Sequence, residues 1–184
     1  MAAEVKGEGM SRAGAEWAGV AGAGAGREEG AHVTVDGSAG ARVGVELAPL
    51  EIPVTRTLIV SGAIASRDYQ DVHHDAELAK EKGSPDIFMN ILTTNGLVGR
   101  YVTDHFGPDA VLRKVAIRLG APNYPGDTMV LSGTVAAVEG GSGGTATAVV
   151  RIVGANGLGT HVTGTVTVAL PSPSSTPSPS GRPA

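Results

Sequence analysis

The spacing of apolar residues changes period along the chain. From Ala110 it is two. "AVLRKVAIRL" sets Val111, Val115, Ile117 and Leu119 on alternating sites against Leu112, Lys114 and Arg118. "TMVLSGTVAAV", "TATAVVRIV" and "THVTGTVTVAL" follow, and the last alternates Val162, Val166, Val168 and Leu170 with threonines. This alternation predicts four strands, joined through "PNYPGD", "EGGSGG" and "GANGLG". Upstream the period is helical. In "SPDIFMNILTTNGLVGRYVTDHFGP", Ile87, Ile91, Thr94, Val98 and Tyr101 recur at 3–4 spacing. Phe88, Leu92, Leu97 and Val102 make other faces apolar too, which predicts a long buried helix. Ser84 as cap, Pro85 at the first helical position and Asp86 at the positive end of the dipole set its start, and Gly107-Pro108 stops it. Gly96 and Gly99 weaken it but permit close backbone approach. "DAELAKEKG" predicts a short helix capped by Asp75, and the β-rich "RTLIVSGAIA", Arg56 to Ala65, predicts a strand before it.

One long apolar helix and one antiparallel sheet must bury each other. The expected class is therefore α+β, a single hot-dog fold with a curved antiparallel sheet wrapped around a long central helix. The expected domain spans residues 43–170. Residues 1–42 hold ten Gly and eleven Ala, too little apolar surface to offset ordering, and residues 171–184 are a Pro/Ser tract; both are expected to be disordered tails.

Composition narrows the function. A net charge of −4 and a pI near 5.7 argue against a nucleic-acid surface. With no cysteine, thiolate metal sites and a Cys nucleophile are excluded. No apolar run reaches membrane length and the first residues lack a signal-like apolar stretch, so a cytoplasmic protein with no membrane partner is expected.

The densest ionisable run is "SRDYQDVHHD", residues 66–75, with three aspartates, two histidines and an arginine. It reads either as a solvated loop or as the chemistry. Asp68 and His73 lie five apart, a spacing that lets a loop turn both towards one point, where a carboxylate and an imidazole make a general base and acid. The unpaired N–H groups at the start of the long helix could bind a thioester oxygen as charge develops there. A metal site from His73, His74 and Asp75 is disfavoured, because adjacent side chains diverge and no third spaced ligand is evident; no metal or cofactor is expected. His105 reads as a helix-dipole partner and His161 as an exposed strand residue. Arg100, Arg113, Lys114 and Arg118 each read as an exposed charge, and become candidates for CoA phosphates only through the family resemblance below.

The stretch "RDYQDVHHD" resembles the signature of MaoC-like (R)-specific enoyl-CoA hydratases, Asp-x-Asn-Pro-aliphatic-His. Asp68, Val72 and His73 match, while Gln70 and Asp71 replace the Asn and Pro; "PGDT", Pro125 to Thr128, resembles a turn of the same superfamily. With "GSPDIFMNIL" and "GLVGRYVTD" the likeness extends to the small MaoC-like subunit of actinobacterial steroid side-chain hydratases, over roughly residues 50–168. The resemblance implies hydration of a trans-2-enoyl-CoA to the 3-hydroxyacyl-CoA, or the reverse. By the same resemblance Asp68 would activate water for attack at C3, and His73 would position it and pass a proton towards C2. A backbone N–H at the helix start binds the thioester oxygen. "IFMN" replaces the His-Gly usual there, so the donor is assigned to Met89 or Asn90. It also implies a homodimer or a heteromer with a second MaoC-like chain. Two other functions compete: a silent subunit completing a partner's pocket, and an acyl-CoA thioesterase using Asp86 or Asp104 at the ends of the helix.

Overall fold

The computed structural model describes residues 41–140 and 145–171. Nearly all of both expected tails, and the last four residues of the "EGGSGG" loop, lie outside these residues; Ala41, assigned to the first tail, is buried in the core. The elements in chain order are β1 (Glu46–Pro53), α1 (Arg56–Ala65), a short 3-10 turn (Asp71–His73), α2 (Ala76–Glu81), α3 (Ile91–Phe106), β2 (Val111–Leu119), β3 (Thr128–Gly140), β4 (Thr145–Asn156) and β5 (Gly159–Pro171). The strands form one antiparallel sheet in the order β1-β3-β4-β5-β2. Its inner face, made by Met129, Leu131, Val150, Ile152, Val166 and Val168, is fully buried. Against it lies α3, through Thr94, Val98, Tyr101, Val102 and Phe106. This is the expected hot-dog arrangement. Gly133 makes room for the helix: a Cβ there would sit 3.1 Å from the Tyr101 ring, whose hydroxyl donates to the Leu47 carbonyl at 3.3 Å.

Three local expectations are corrected. Residues 56–65 form a helix, not a strand. Thr55 caps it by accepting from the Leu58 N–H (3.0 Å), Ile59 and Ala63 turn one face inward, and Gly62 lets it lie against α3, where a Cβ would collide with Thr93. Tertiary packing has overridden the β preference of Ile59, Val60 and Ile64. The first strand is instead β1, where Pro49, Pro53 and a bulge between Leu47 and Leu50 hide the alternation.

The long helix starts at Ile91 with Asn90 as its cap, six residues later than Ser84 as cap implied. Residues 87–90 are pinned between two loops: the Phe88 N–H donates to the Val72 carbonyl and the Met89 N–H to the Asn123 carbonyl, both at 3.0 Å. Asp86 pairs with Arg56 rather than with a helix dipole, and that guanidinium lowers its pKa. Nor is α3 covered on all sides: Ile91 and Leu92 are each 48% exposed.

Candidate active site

The helix α1 ends in a Schellman motif. The Arg67 N–H donates to the Ile64 carbonyl (3.1 Å) and the Asp68 N–H to the Ala63 carbonyl (2.9 Å), with Arg67 in the left-handed region at φ 57°. This stop aims the Asp68 backbone out of the helix and into the loop. The 3-10 turn then reverses the chain and buries His73, which is 5% exposed. His73 Nδ1 donates to the Phe88 carbonyl at 2.7 Å, because a carbonyl only accepts. The other nitrogen, Nε2, is thereby aimed at Asp68 and lies 3.3 Å from its Oδ2. The Phe88 ring stands edge-on to the imidazole at 5.0 Å and fixes its plane.

Asn90 joins this pair to α3. Its Nδ2 donates to Asp68 Oδ2 (3.0 Å) and to Ser66 Oγ (2.9 Å), while its Oδ1 accepts from the Thr93 N–H (2.9 Å). One buried amide therefore orients the carboxylate and caps the helix. Sequence reasoning singled out Asn90 for its backbone and missed its side chain. The N-cap preference of Asn before "ILTT" was the available signal.

These groups border a cavity of about 300 Å³. Asp68, Gln70 and His73 form one side, Phe88 to Ile91 the helix end, and Leu119 to Pro122 with His161 the far wall. The expected convergence of Asp68 and His73 beside the helix start is present. Met89 is not a free donor, since its N–H is taken by Asn123. The N–H groups of Asn90 and Ile91 meet no acceptor among the described residues.

His74 turns away, donating from Nε2 to the Tyr69 carbonyl (3.2 Å), and Asp75 caps α2 as expected. His161 is not the exposed strand residue anticipated: it is 1% exposed, and burial lowers its pKa. His105 lies in the last turn of α3, where burial likewise depresses it. Asp104 pairs with Arg100 at 3.0 Å, and neither Asp86 nor Asp104 lines the cavity. None of Arg100, Arg113, Lys114 and Arg118 borders it either.

A sheet-wrapped helix with Asp68 and His73 together at its N-terminal end is the arrangement expected from the MaoC-like resemblance. Residues 39–155, more than half of the chain, match the MaoC like domain, and the chain belongs to that family. It is 49% identical over 128 residues to the 3-oxo-4,17-pregnadiene-20-carboxyl-CoA hydratase beta subunit of Mycobacterium tuberculosis, covering 70% of this chain and 95% of that one. Among solved structures it is similar to the ChsH1-ChsH2 complex of M. tuberculosis (49% identity, TM-score 0.66, covering 70% of this chain and 98% of that one). It shares its fold with the R-hydratase PhaJ1 of Pseudomonas aeruginosa at 19% identity (TM-score 0.61, 72% of this chain and 83% of that one).

Proposed function

We propose that this chain hydrates a trans-2-enoyl-CoA to the 3-hydroxyacyl-CoA, or catalyses the reverse, as the Asp/His-bearing subunit of an assembly with a second MaoC-like chain. The observation that carries this reading is the Asp68–His73 contact of 3.3 Å inside a cavity that also receives the N-terminal end of α3. A thioester oxygen placed against the Asn90 or Ile91 N–H draws negative charge to the helix end as C3 is attacked. Asp68 takes a proton from water while the water oxygen bonds to C3. His73, in the form that carries a proton on Nε2, gives it to C2. Proton transfer from Asp68 to Nε2 across their contact then restores the pair, so atoms and charge balance. Deposition of both groups from one side of the alkene plane gives syn addition.

The family membership and the hydratase named among its relatives support the reaction class. A cavity of about 300 Å³ has room for the water, the thioester and the first acyl carbons, but not for a four-ring skeleton and pantetheine together. An acyl-CoA as bulky as the pregnadiene carboxyl-CoA in the relative's name extends beyond this cavity, into space where a partner chain can complete the site. The test is loss of enoyl absorbance with a bulky trans-2-enoyl-CoA and the purified assembly. Asp68→Asn, isosteric but unable to take the proton, and His73→Ala are each expected to lower turnover by about 10²–10⁴, with the far-UV spectrum unchanged. Wild-type turnover in either variant removes that residue from the mechanism.

A further inference from the structure

A second buried histidine borders the same cavity, and the reaction above leaves it without a task. His161 lies at an irregularity between β4 and β5: Val162 pairs with Gly154 and Thr160 with Ala155, so His161 is the extra residue of a bulge. The bulge is why His161 and Val162, adjacent in sequence, are both buried. The imidazole spans two walls of the cavity. Nδ1 donates to the Ala121 carbonyl at 2.6 Å, which fixes the tautomer and leaves Nε2 of the neutral ring as an acceptor. Thr94 Oγ1 meets it at 2.9 Å and donates. Thr94 belongs to the first turn of α3, and its N–H in turn bonds the Asn90 carbonyl at 3.2 Å. The far wall is held to β5 independently, by Gly120 N–H to the His161 carbonyl (2.7 Å) and Ala121 N–H to the Thr160 carbonyl (2.9 Å).

We infer that His161 is a positioning residue: through Thr94 it sets the gap between the helix end that presents the Asn90 and Ile91 N–H groups and the Ala121 wall, and so aligns the thioester oxygen with those donors. It touches no reacting atom in this role. The inference rests on the hydratase reading. Burial favours the neutral ring that can accept from Thr94.

The experiment uses the assembled enzyme with wild-type chain, His161→Gln, His161→Asn and Thr94→Val. Gln reaches the Nε2 position and Asn the Nδ1 position, so each keeps one of the two bonds; Thr94→Val is near-isosteric and serves where a histidine variant does not fold. Two readouts are taken: kcat and KM, and the red shift of a bound, slowly turned-over aryl-acryloyl-CoA, which reports polarisation of its carbonyl. His161→Asn and Thr94→Val are expected to lower kcat about 10- to 100-fold, with KM changed less than threefold and the red shift reduced. His161→Gln is expected to retain more of both. Full red shift and full kcat in Thr94→Val and His161→Asn overturn the inference. So does a lower melting temperature with unchanged kcat per folded enzyme, which marks a merely structural contact. If the wild-type assembly neither binds nor hydrates any enoyl-CoA, the hydratase reading itself falls and the inference with it.

Discussion

At the scale of single residues, the site depends on which atom each side chain is forced to present. His73 presents Nε2 because Phe88 holds Nδ1, and Asp68 presents Oδ2 because Asn90 holds it. Asn90 is the economical member, since one amide serves the carboxylate, Ser66 and the helix cap. Asn90→Ala is expected to lose about 1 kcal/mol of stability through the cap and to slow turnover as well. Asn90→Ser should recover most of the stability, because serine is as good a cap, yet not the rate, because its shorter side chain cannot also reach Asp68. Urea unfolding and turnover of the two variants, measured side by side, check this; equal rates in both would show that the carboxylate needs no such anchor. The approach of Asp68 to His73 could be read from the sequence because it is local, five residues on one loop, whereas a catalytic role for the pair came only from the family resemblance. Asn90 and His161 were less legible. Asn90 reaches Asp68 only after the chain has passed through α2, and a bulge turned His161 inward in a run whose plain alternation placed it outside.

Elements show the same division between what is local and what is not. The strands β2 to β5 could be read from alternation, and α2 from its cap and its closing glycine, because each signal lies inside the element. The sequence misled where packing decided. β-branched residues in α1 mimic a strand, and Ser84-Pro85-Asp86 mimics a helix start although Asp86 is held by Arg56 and the next four residues are tied to Val72 and Asn123. The end of α1 carries its own test. Arg67 occupies the left-handed position of the Schellman motif, where a Cβ is crowded and glycine is at ease. Arg67→Gly is expected to raise stability by roughly 0.5–1 kcal/mol, the strain relieved less the extra entropy of the unfolded glycine. A shift in urea midpoint to higher concentration checks it. A shift to lower concentration would mean that the guanidinium makes contacts worth more than the strain.

At the scale of the whole molecule, the described residues leave one side of the fold open. β1 ends one edge of the sheet, and its two prolines and bulge blunt that edge. β2 ends the other, pairs only with β5 among the described residues, and leaves Val111 and Leu112 partly exposed. Beside α1, the exposed Leu92 of α3 overlooks a shallow apolar groove with Ala65, Gly96 and Leu97 on its floor. The expectation that both Gly96 and Gly99 serve close approach divides here. Gly99 meets Leu112 within the chain, where a Cβ would lie 3.1 Å from its Cδ1, while Gly96 faces open space and is available to another subunit. Among the described residues, an open strand edge, an incompletely covered helix and a cavity that opens to solvent leave room for a second hot-dog unit. The purified chain is therefore expected to sediment as a dimer or to be unstable and weakly active, and to reach full activity only with a second MaoC-like chain. Leu92→Glu sharpens the test. At a half-exposed site it should cost the isolated fold little, within about 0.5 kcal/mol, yet weaken association if α3 lies in the contact. Sedimentation velocity of both proteins, with and without the partner, and an enoyl-CoA assay on the same samples give the answer. A stable monomer with full activity on a bulky enoyl-CoA would sink the assembly argument. A fully active homodimer would keep the fold and the Asp68–His73 chemistry but reject the heteromer, because two copies of the same narrow cavity would then have sufficed.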